Sequence, residues 1–290
     1  MLKSRLCIAF FAFAVGCAPA QKPLTDYVNP MLGTATLWDS VDLGFKPTKR
    51  TWGAEVFPGS SLPNAMVQVS PVTKFHSGAG YQYEDSVIYG FTHTNKGHWN
   101  LCHIPLLPVT GTPTPGDYCS PFSHERESAA PGYYQVFLDR YGVDAQLSST
   151  LRCAFHKYTY PAGAAASLLA DLQRSNEHVR AWDIRKEGDN VFAGWQQTGE
   201  KMYFYAVANR PVTGIEPVVE GDREVRIVRF GEGDGALELR IGFSFVSEEN
   251  ARKNLEAEML GRSFADVRSE ATAVWNDLLG RIRVEGGTER

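Results

Sequence analysis

A polar segment at residues 92–100 carries the side chains best suited to chemistry, and it lies between two apolar runs. Trp99 could stack on the flat face of a pyranose ring, and Gly97 permits a sharp backbone path beside it. Amide, ammonium and imidazole groups nearby could hydrogen-bond hydroxyl groups. The candidate binding residues here are Asn95, Lys96, His98, Trp99 and Asn100. The alternative is a hydrogen-bonded loop that shapes a cleft without touching a ligand.

A second candidate lies at residues 55–59, where Pro58 and Gly59 predict a tight turn. Phe57 precedes this turn, and its ring could lie against a sugar. The same ring could equally belong to the apolar core, so both interpretations stay open.

Three histidines, His93, His98 and His103, recur at spacings of five residues. That spacing fits neither one helix face nor one strand face, which argues against a zinc site. Calcium prefers oxygen ligands, and the sequence has no aspartate-rich loop of the needed density. It also has no Gly-x-Ser-x-Gly elbow and no glycine-rich phosphate loop. We therefore assign neither a catalytic residue nor a metal ligand within this sequence.

Composition and net charge narrow the classes of molecule that this chain could bind. The 290 residues carry a formal net charge of −4 and no basic run, which argues against nucleic acid as a partner. Of the five cysteines, only Cys102, Cys119 and Cys153 lie beyond the N-terminal segment. An odd number allows at most one internal disulfide, so we expect mostly buried thiols.

The first twenty residues are predicted to be an export signal. Lys3 and Arg5 precede an apolar run from Leu6 to Val15, and small residues follow. The run is shorter than the ~20 residues needed to span a bilayer. Cleavage before Gln21 is one interpretation. A lipobox-like motif ending at Cys17 is the other, and it predicts a lipidated Cys17 as the sole attachment to a membrane.

The elements that must position these candidates are mostly short strands. Apolar and polar residues alternate over many runs, with Gly- and Asp-rich turns between them, which predicts an antiparallel β-sandwich or barrel. The predicted strands are residues 65–69, 133–138, 155–160, 166–172, 191–195, 202–208, 224–230 and 237–245.

Two helices are predicted after residue 247. Residues 248–260 have helical composition, and Ser263 with Asp266 forms a helix-start box. An apolar stripe then recurs at spacings of three and four, at Phe264, Val267, Ala271, Val274, Trp275, Leu278 and Ile282. This stripe needs a packing partner, which is either a further domain or the sandwich itself.

Several segments, taken together and in order, resemble a known family. They are residues 27–34 (YVNPMLGT), 51–73 (TWGAEVFPGSSLPNAMVQVSPVT), 80–111 (GYQYEDSVIYGFTHTNKGHWNLCHIPLLPVTG), 131–161 (PGYYQVFLDRYGVDAQLSSTLRCAFHKYTYP), 243–258 (FSFVSEENARKNLEAE) and 275–289 (WNDLLGRIRVEGGTE). The family is glycoside hydrolase family 92. The segment at residues 92–100 departs from its commoner Ser-Gly-Thr-Gly-Cys pattern, which indicates a divergent subgroup.

The resemblance implies a mainly β fold: an antiparallel sandwich of the galactose-mutarotase type at residues 22–246, followed by two linker helices at 247–290. It implies that these helices lead to an (α/α)6 domain that this chain lacks. It also implies a calcium-dependent, inverting exo-α-mannosidase, in which that second domain holds the acid and base and most of the calcium ligands.

We therefore expect the N-terminal part of an exported α-mannosidase that trims mannose-containing glycans, in the periplasm or at the outer membrane or cell surface of a bacterium. This domain would form one wall of the substrate cleft, and the chain alone would be inactive. A non-catalytic carbohydrate-binding sandwich and a purely structural surface domain are the alternatives.

Overall fold

The structure is a computed structural model, and it describes residues 22–36, 55–96, 99–282 and 284. The predicted export signal, Cys17 and His98 lie outside the described residues. No helix in the described part is long and apolar enough to cross a membrane.

Strands dominate the described chain. In chain order they are β1 (Ser60–Ser61), β2 (Gln68–Val72), β3 (Val87–Ile88), β4 (Gly90–Thr92), β5 (Asn95–Lys96), β6 (Trp99–Asn100), β7 (Leu106–Val109), β8 (Ser120–Pro121), β9 (Glu127–Ala130), β10 (Tyr133–Leu138), β11 (Val143–Ser149), β12 (Cys153–Thr159), β13 (Ser167–Ala170), β14 (Ala181–Gly188), β15 (Val191–Gln197), β16 (Lys201–Ala208), β17 (Val212–Glu220), β18 (Arg223–Phe230) and β19 (Leu237–Ser244).

Two antiparallel sheets face each other. One has the order β1-β2-β4-β7-β13-β18-β17 and the other the order β14-β15-β16-β19-β12-β11-β10-β9. Two small ribbons, β3–β8 and β5–β6, lie outside them. Residues of β16 alternate between half-buried and buried at every step, because successive side chains of a strand point to opposite faces. The inner faces enclose one apolar core, whose largest members include Phe91, Tyr134, Tyr158, Phe192 and Phe204.

Two helices follow the last strand. Helix α1 (Glu248–Glu258) is capped by Ser247, whose Oγ accepts from the Asn250 N–H at 3.1 Å. Helix α2 (Phe264–Leu279) begins with the predicted capping box between Ser263 and Asp266. The predicted mainly β antiparallel sandwich with two C-terminal helices is thus confirmed.

The helices cover the outer face of the eight-stranded sheet. A second apolar cluster forms there from Tyr133, Cys153, Phe155, Leu255, Met259, Phe264 and Val267. The predicted stripe on α2 is buried only in its first half, since Val274 is 36% exposed and Ile282 is 80% exposed. The sandwich therefore covers part of the stripe and leaves the rest open.

The sequence prediction missed several strands. The strand predicted at residues 65–69 lies at Gln68–Val72, and β11, β14 and β17 were not predicted. The cysteines Cys102, Cys119 and Cys153 are free thiols. Burial raises the pKa of Cys102 and Cys153, so both remain protonated.

Candidate functional site

The segment around residues 92–100 folds into a small β-hairpin. Asn95 pairs with Asn100 and Lys96 with Trp99, and the Leu101 N–H donates to the Thr94 carbonyl at 3.1 Å. The tip, residues 97 and 98, lies outside the described part. Lys96 and Trp99 are exposed, with 39% of Trp99 open to solvent. The hairpin therefore offers an aromatic face and an ammonium group to a ligand.

Two asparagines of the hairpin differ sharply. Asn100 is fully buried, and its Oδ1 accepts from the Cys102 N–H at 2.8 Å while its Nδ2 donates to Thr92 Oγ1 at 3.2 Å. Both ends of that amide are bonded within the chain, so we infer that Asn100 stabilises the loop rather than contacting a ligand. Asn95 has both amide atoms shielded and without a partner among the described residues. Such an orphaned amide is uncommon in a folded chain, and hydrogen bonding of Asn95 to a ligand stays a prediction.

The backbone around the hairpin is strained. Among the described residues, the non-glycine positions with positive φ are Asn64, His76, Cys102 and Ile104. Cys102 and Ile104 directly follow the hairpin, each with φ 53°. A β-branched residue in this region is a real outlier, and such strain concentrates at functional sites.

A second loop is fastened to the hairpin. The Asn176 N–H and the Ser175 hydroxyl both donate to the Leu101 carbonyl, at 3.0 and 2.7 Å, and Asn176 Nδ2 donates to the Asn100 carbonyl at 2.6 Å. Gln196 on β15 accepts from the Ile104 N–H at 2.8 Å and donates to the Arg174 carbonyl at 2.8 Å. These bonds join three separate parts of the chain into one rigid end of the sandwich.

An open cleft of about 910 Å³ is lined mainly by residues 173–182, the loop that is bonded to the hairpin through Ser175 and Asn176. This volume suits a small ligand or part of an oligosaccharide. Its walls combine charged, amide and aromatic groups, in the mixture that suits a sugar. The lining residues include His76, Arg174, Glu177, Arg180, Trp182 and Asp222.

Buried His103 connects the hairpin to this cleft. The Thr198 hydroxyl donates to Glu177 Oε2 at 2.6 Å, so its oxygen accepts from His103 Nε2 at 3.0 Å. His103 Nδ1 then accepts from the Thr94 hydroxyl at 2.9 Å. Burial lowers the pKa of His103, and the Glu177 carboxylate opposes that shift.

A separate histidine pair lies in the core. His93 Nε2 and His156 Nε2 are 3.0 Å apart, and His156 Nδ1 is 2.5 Å from the Tyr158 hydroxyl. Burial lowers the pKa of His93 to about 3 and that of His156 well below its usual value. Both rings are therefore neutral near pH 7.

The predicted candidates fall in two places. Phe57 lines an apolar pocket of about 250 Å³ together with Val56, Gly59, Trp275 and Leu279, and this pocket shares no lining residue with the large cleft. The structure thus keeps Phe57 apart from that cleft. Sequence reasoning did not find Glu177, His103 or Thr198 as a set, because they come from distant parts of the chain.

The described residues contain no group of three or more His, Cys, Asp or Glu side chains placed to hold a metal ion. His93 and His103 bind different partners rather than a common centre. The described residues therefore provide no carboxylate cluster of the kind that many calcium sites use.

A model of the glycosyl hydrolase family 92 N-terminal domain matches residues 27–252, and one of the family's catalytic domain matches residues 250–290. The chain belongs to glycosyl hydrolase family 92.

Solved members of family 92 share the fold. An α-mannosidase from Bacteroides thetaiotaomicron is 25% identical to this chain, with a TM-score of 0.79. The match covers 92% of this chain and 39% of the mannosidase chain. An inverting mannosidase of the same organism is 25% identical to this chain, with a TM-score of 0.75. That match covers 91% of this chain and 37% of the mannosidase chain. A secreted glycosidase of Arthroderma benhamiae is 24% identical over 90% of this chain and 38% of its own length. The chain thus spans about two-fifths of these relatives.

Proposed function

We propose that this family 92 chain is the N-terminal domain of an α-mannosidase that releases mannose from glycans, and that its hairpin and cleft form one wall of the substrate cleft. The observation that carries the proposal is the rigid end of the sandwich. There a hairpin that carries exposed Trp99 and the orphaned amide of Asn95 is hydrogen-bonded to the loop that lines an open polar cleft. Lys96 belongs to the same proposed binding surface, and a role for His98, which lies outside the described residues, stays a sequence prediction.

The relatives supply the substrate class. Two solved relatives are described as mannosidases, and the first of them also has a structure in complex with mannoimidazole, which is 25% identical over 90% of this chain. One of them is described as inverting. We carry both properties to this chain as parts of the proposal.

Inverting hydrolysis needs two carboxyl groups about 6.5–9.5 Å apart, with a water molecule between one of them and the sugar. We place that pair in the family's catalytic domain, of which this chain includes only residues 250–290. We assign the proposed calcium ion to the same domain, because the described residues hold no cluster of three or more His, Cys, Asp or Glu side chains. The role of this chain is then to bind and orient the glycan.

The exposed end of α2 provides a surface for the (α/α)6 domain. Val274 and Ile282 remain exposed, and Trp275 and Leu279 line the apolar pocket that also contains Phe57. Contiguous exposed apolar patches commonly mark surfaces that another protein or domain covers. We therefore propose that the catalytic domain packs here.

Export is part of the proposal. It is supported by the predicted signal at residues 1–20 and by the relative described as a secreted glycosidase. Lipidation of Cys17 would attach the enzyme to a membrane at the periplasmic or cell-surface side, where glycans reach it.

Titration with methyl α-mannoside, followed by saturation-transfer NMR, tests the binding role. Trp99→Ala should lower affinity about tenfold or more, since aromatic stacking on a ligand is worth on the order of 1–3 kcal/mol. Trp195→Ala is the matched control, because Trp195 is a half-buried tryptophan on the outer face of β15. Equal affinity of the wild type and Trp99→Ala would contradict the proposal.

A turnover assay separates the enzyme from a non-catalytic carbohydrate-binding module. The chain should bind methyl α-mannoside but not hydrolyse an aryl α-mannoside when calcium is present. Hydrolysis by the chain alone would show that our assignment of the general acid and general base to the catalytic domain is wrong. An activity that appears only when the catalytic domain is joined to this chain would favour the enzyme over the binding module.

A further inference from the structure

We infer that Glu177 is a glycan-binding residue, whose carboxylate accepts hydrogen bonds from the hydroxyl groups of a neutral sugar in the large cleft. His103 and Thr198 act as positioning residues behind it. The inference deepens the proposed function, because it names a further residue of the same wall and the chemistry of the group it binds.

The two oxygens of the carboxylate have different surroundings. Oε2 accepts from the Thr198 hydroxyl at 2.6 Å and lies 3.4 Å from His103 Nε2. Oε1 has no hydrogen-bond partner among the described residues. Glu177 lines the cleft and its side chain is 40% exposed. One oxygen is therefore held by the protein while the other remains available to a ligand.

The backbone beneath Glu177 is held as well. The Glu177 N–H donates to Ser175 Oγ at 3.1 Å, and Ser175 Oγ donates to the Leu101 carbonyl at 2.7 Å. The neighbouring Asn176 is bonded to the hairpin, and the His76 N–H donates to its Oδ1 at 2.6 Å. A carboxylate that is already fixed loses little conformational entropy when a ligand binds.

Two of the three guanidinium groups that line this cleft are engaged within the protein, while exposed Arg180 has no ion pair among the described residues. Arg223 is paired with buried Asp171 at 2.6 Å, and Arg174 donates to the Tyr118 hydroxyl at 3.2 Å while lying over the ring of Phe75. These guanidinium groups are thus engaged within the protein. A fixed carboxylate beside them attracts hydroxyl donors and disfavours an anionic group at its own position.

An aromatic side chain lies in the same cleft. Trp182 is half-buried there, and Arg226 lies 5.3 Å from its ring centroid. A carboxylate acceptor and an aromatic ring in one cleft are the two contacts that a sugar needs, for its hydroxyl groups and for its apolar face. The ligand class that fits is therefore a neutral, hydroxyl-rich sugar such as mannose.

A purely structural role must be distinguished from this one, because Glu177 also helps to hold the loop against β15. Glu177→Gln keeps an oxygen for the Thr198 hydroxyl, but it removes the charge and replaces the free acceptor with an amide group. Asp234→Asn is the matched control, since Asp234 is an exposed carboxylate that does not line this cleft.

The experiment measures the affinity of the chain for methyl α-mannoside and for its 2-, 3-, 4- and 6-deoxy analogues by saturation-transfer NMR. In the wild type, at least one deoxy analogue should bind about tenfold more weakly than the parent, as for a lost hydrogen bond to a charged group. Glu177→Gln should lower the affinity for methyl α-mannoside by a similar factor. The variant should then bind methyl α-mannoside and that deoxy analogue equally well, because the two changes remove the same hydrogen bond. Asp234→Asn should retain the wild-type pattern.

Three outcomes overturn the inference. If Glu177→Gln binds the parent as the wild type does while Trp99→Ala loses affinity, Glu177 is not a ligand residue and the proposed function stands. If Glu177→Gln weakens the parent and every analogue equally, its role is only to hold the loop. If the wild-type chain binds no mannoside at all, the proposed function fails and this inference fails with it.

Discussion

Two buried histidines near the hairpin, His93 and His103, have the same chemistry in different surroundings. His93 lies between His156, at 3.0 Å, and the ring of Phe243, whose centroid is 4.6 Å away. His103 lies between two threonine hydroxyls, and the second of these bonds to the Glu177 carboxylate. Burial lowers the pKa of both rings, but only His103 has a carboxylate that opposes the shift.

The difference separates a structural cluster from one that reaches a surface. His93 Nδ1 has no partner among the described residues, and no charged group follows His156 and Tyr158. Every link of the His103 chain is satisfied, and the chain ends on a carboxylate that lines the cleft. The first cluster should therefore matter for folding, and the second for the site.

The largest expected effect is on the core pair. His156→Ala should lower the free energy of unfolding by about 3–5 kcal/mol, because it leaves a cavity and removes the partner of both His93 and the Tyr158 hydroxyl. Urea denaturation measures the change. A loss below about 1 kcal/mol would show that the pair does not help to hold the core together.

The second expected effect is a loss of folding stability at acidic pH. The pKa of His93 is about 3 in the folded chain, against about 6.5 when unfolded, so the unfolded state binds more protons between these values. The contribution of neutral His93 to the free energy of unfolding is therefore fully present above pH ~6.5. It is lost as the pH falls towards ~3, by up to about 1.4 kcal/mol per pH unit. His93→Gln should flatten the slope measured by urea denaturation across this range. An unchanged slope would contradict the assignment of His93 as a buried neutral ring.

The smallest effect belongs to the cleft. Glu177→Gln should change the free energy of unfolding by about 1 kcal/mol or less, and it should lower the pKa of His103 further, because the carboxylate that raises it is gone. NMR titration of the His103 ring measures the shift. The ring of His93, whose partners are His156 and Phe243, should not respond and serves as the internal control. A rise in the pKa of His103 would contradict the network.

Much of the sandwich could be predicted from the sequence, because its central strands alternate in a way that one buried face imposes. The strand at Tyr133–Leu138 and the capping box of α2 agree with the structure residue by residue. The edge strands β14 and β17 were missed. Both are mostly exposed or half-buried, so they carry charged residues and lack the apolar alternation that reveals a strand.

Only a local part of the candidate site could be singled out from the sequence. The segment at residues 92–100 was predicted to be a polar loop, because its polar and aromatic residues are adjacent in sequence, and its pairing as a hairpin was not predicted. Its support could not be predicted either, since Glu177, Thr198 and His103 meet only after β7, β13 and β15 are assembled. The burial of Asn100 also depends on contacts with Thr92 and Cys102 that composition does not reveal.

The most direct test maps the ligand on the chain. Methyl α-mannoside is added to the isotopically labelled protein, and backbone amide shifts are followed by NMR. The account predicts that the changes centre on residues 174–182, which line the large cleft, and on residues 99–103, to which that loop is hydrogen-bonded. Changes centred on the apolar pocket of Phe57 and Trp275, or no changes at any concentration, would contradict it.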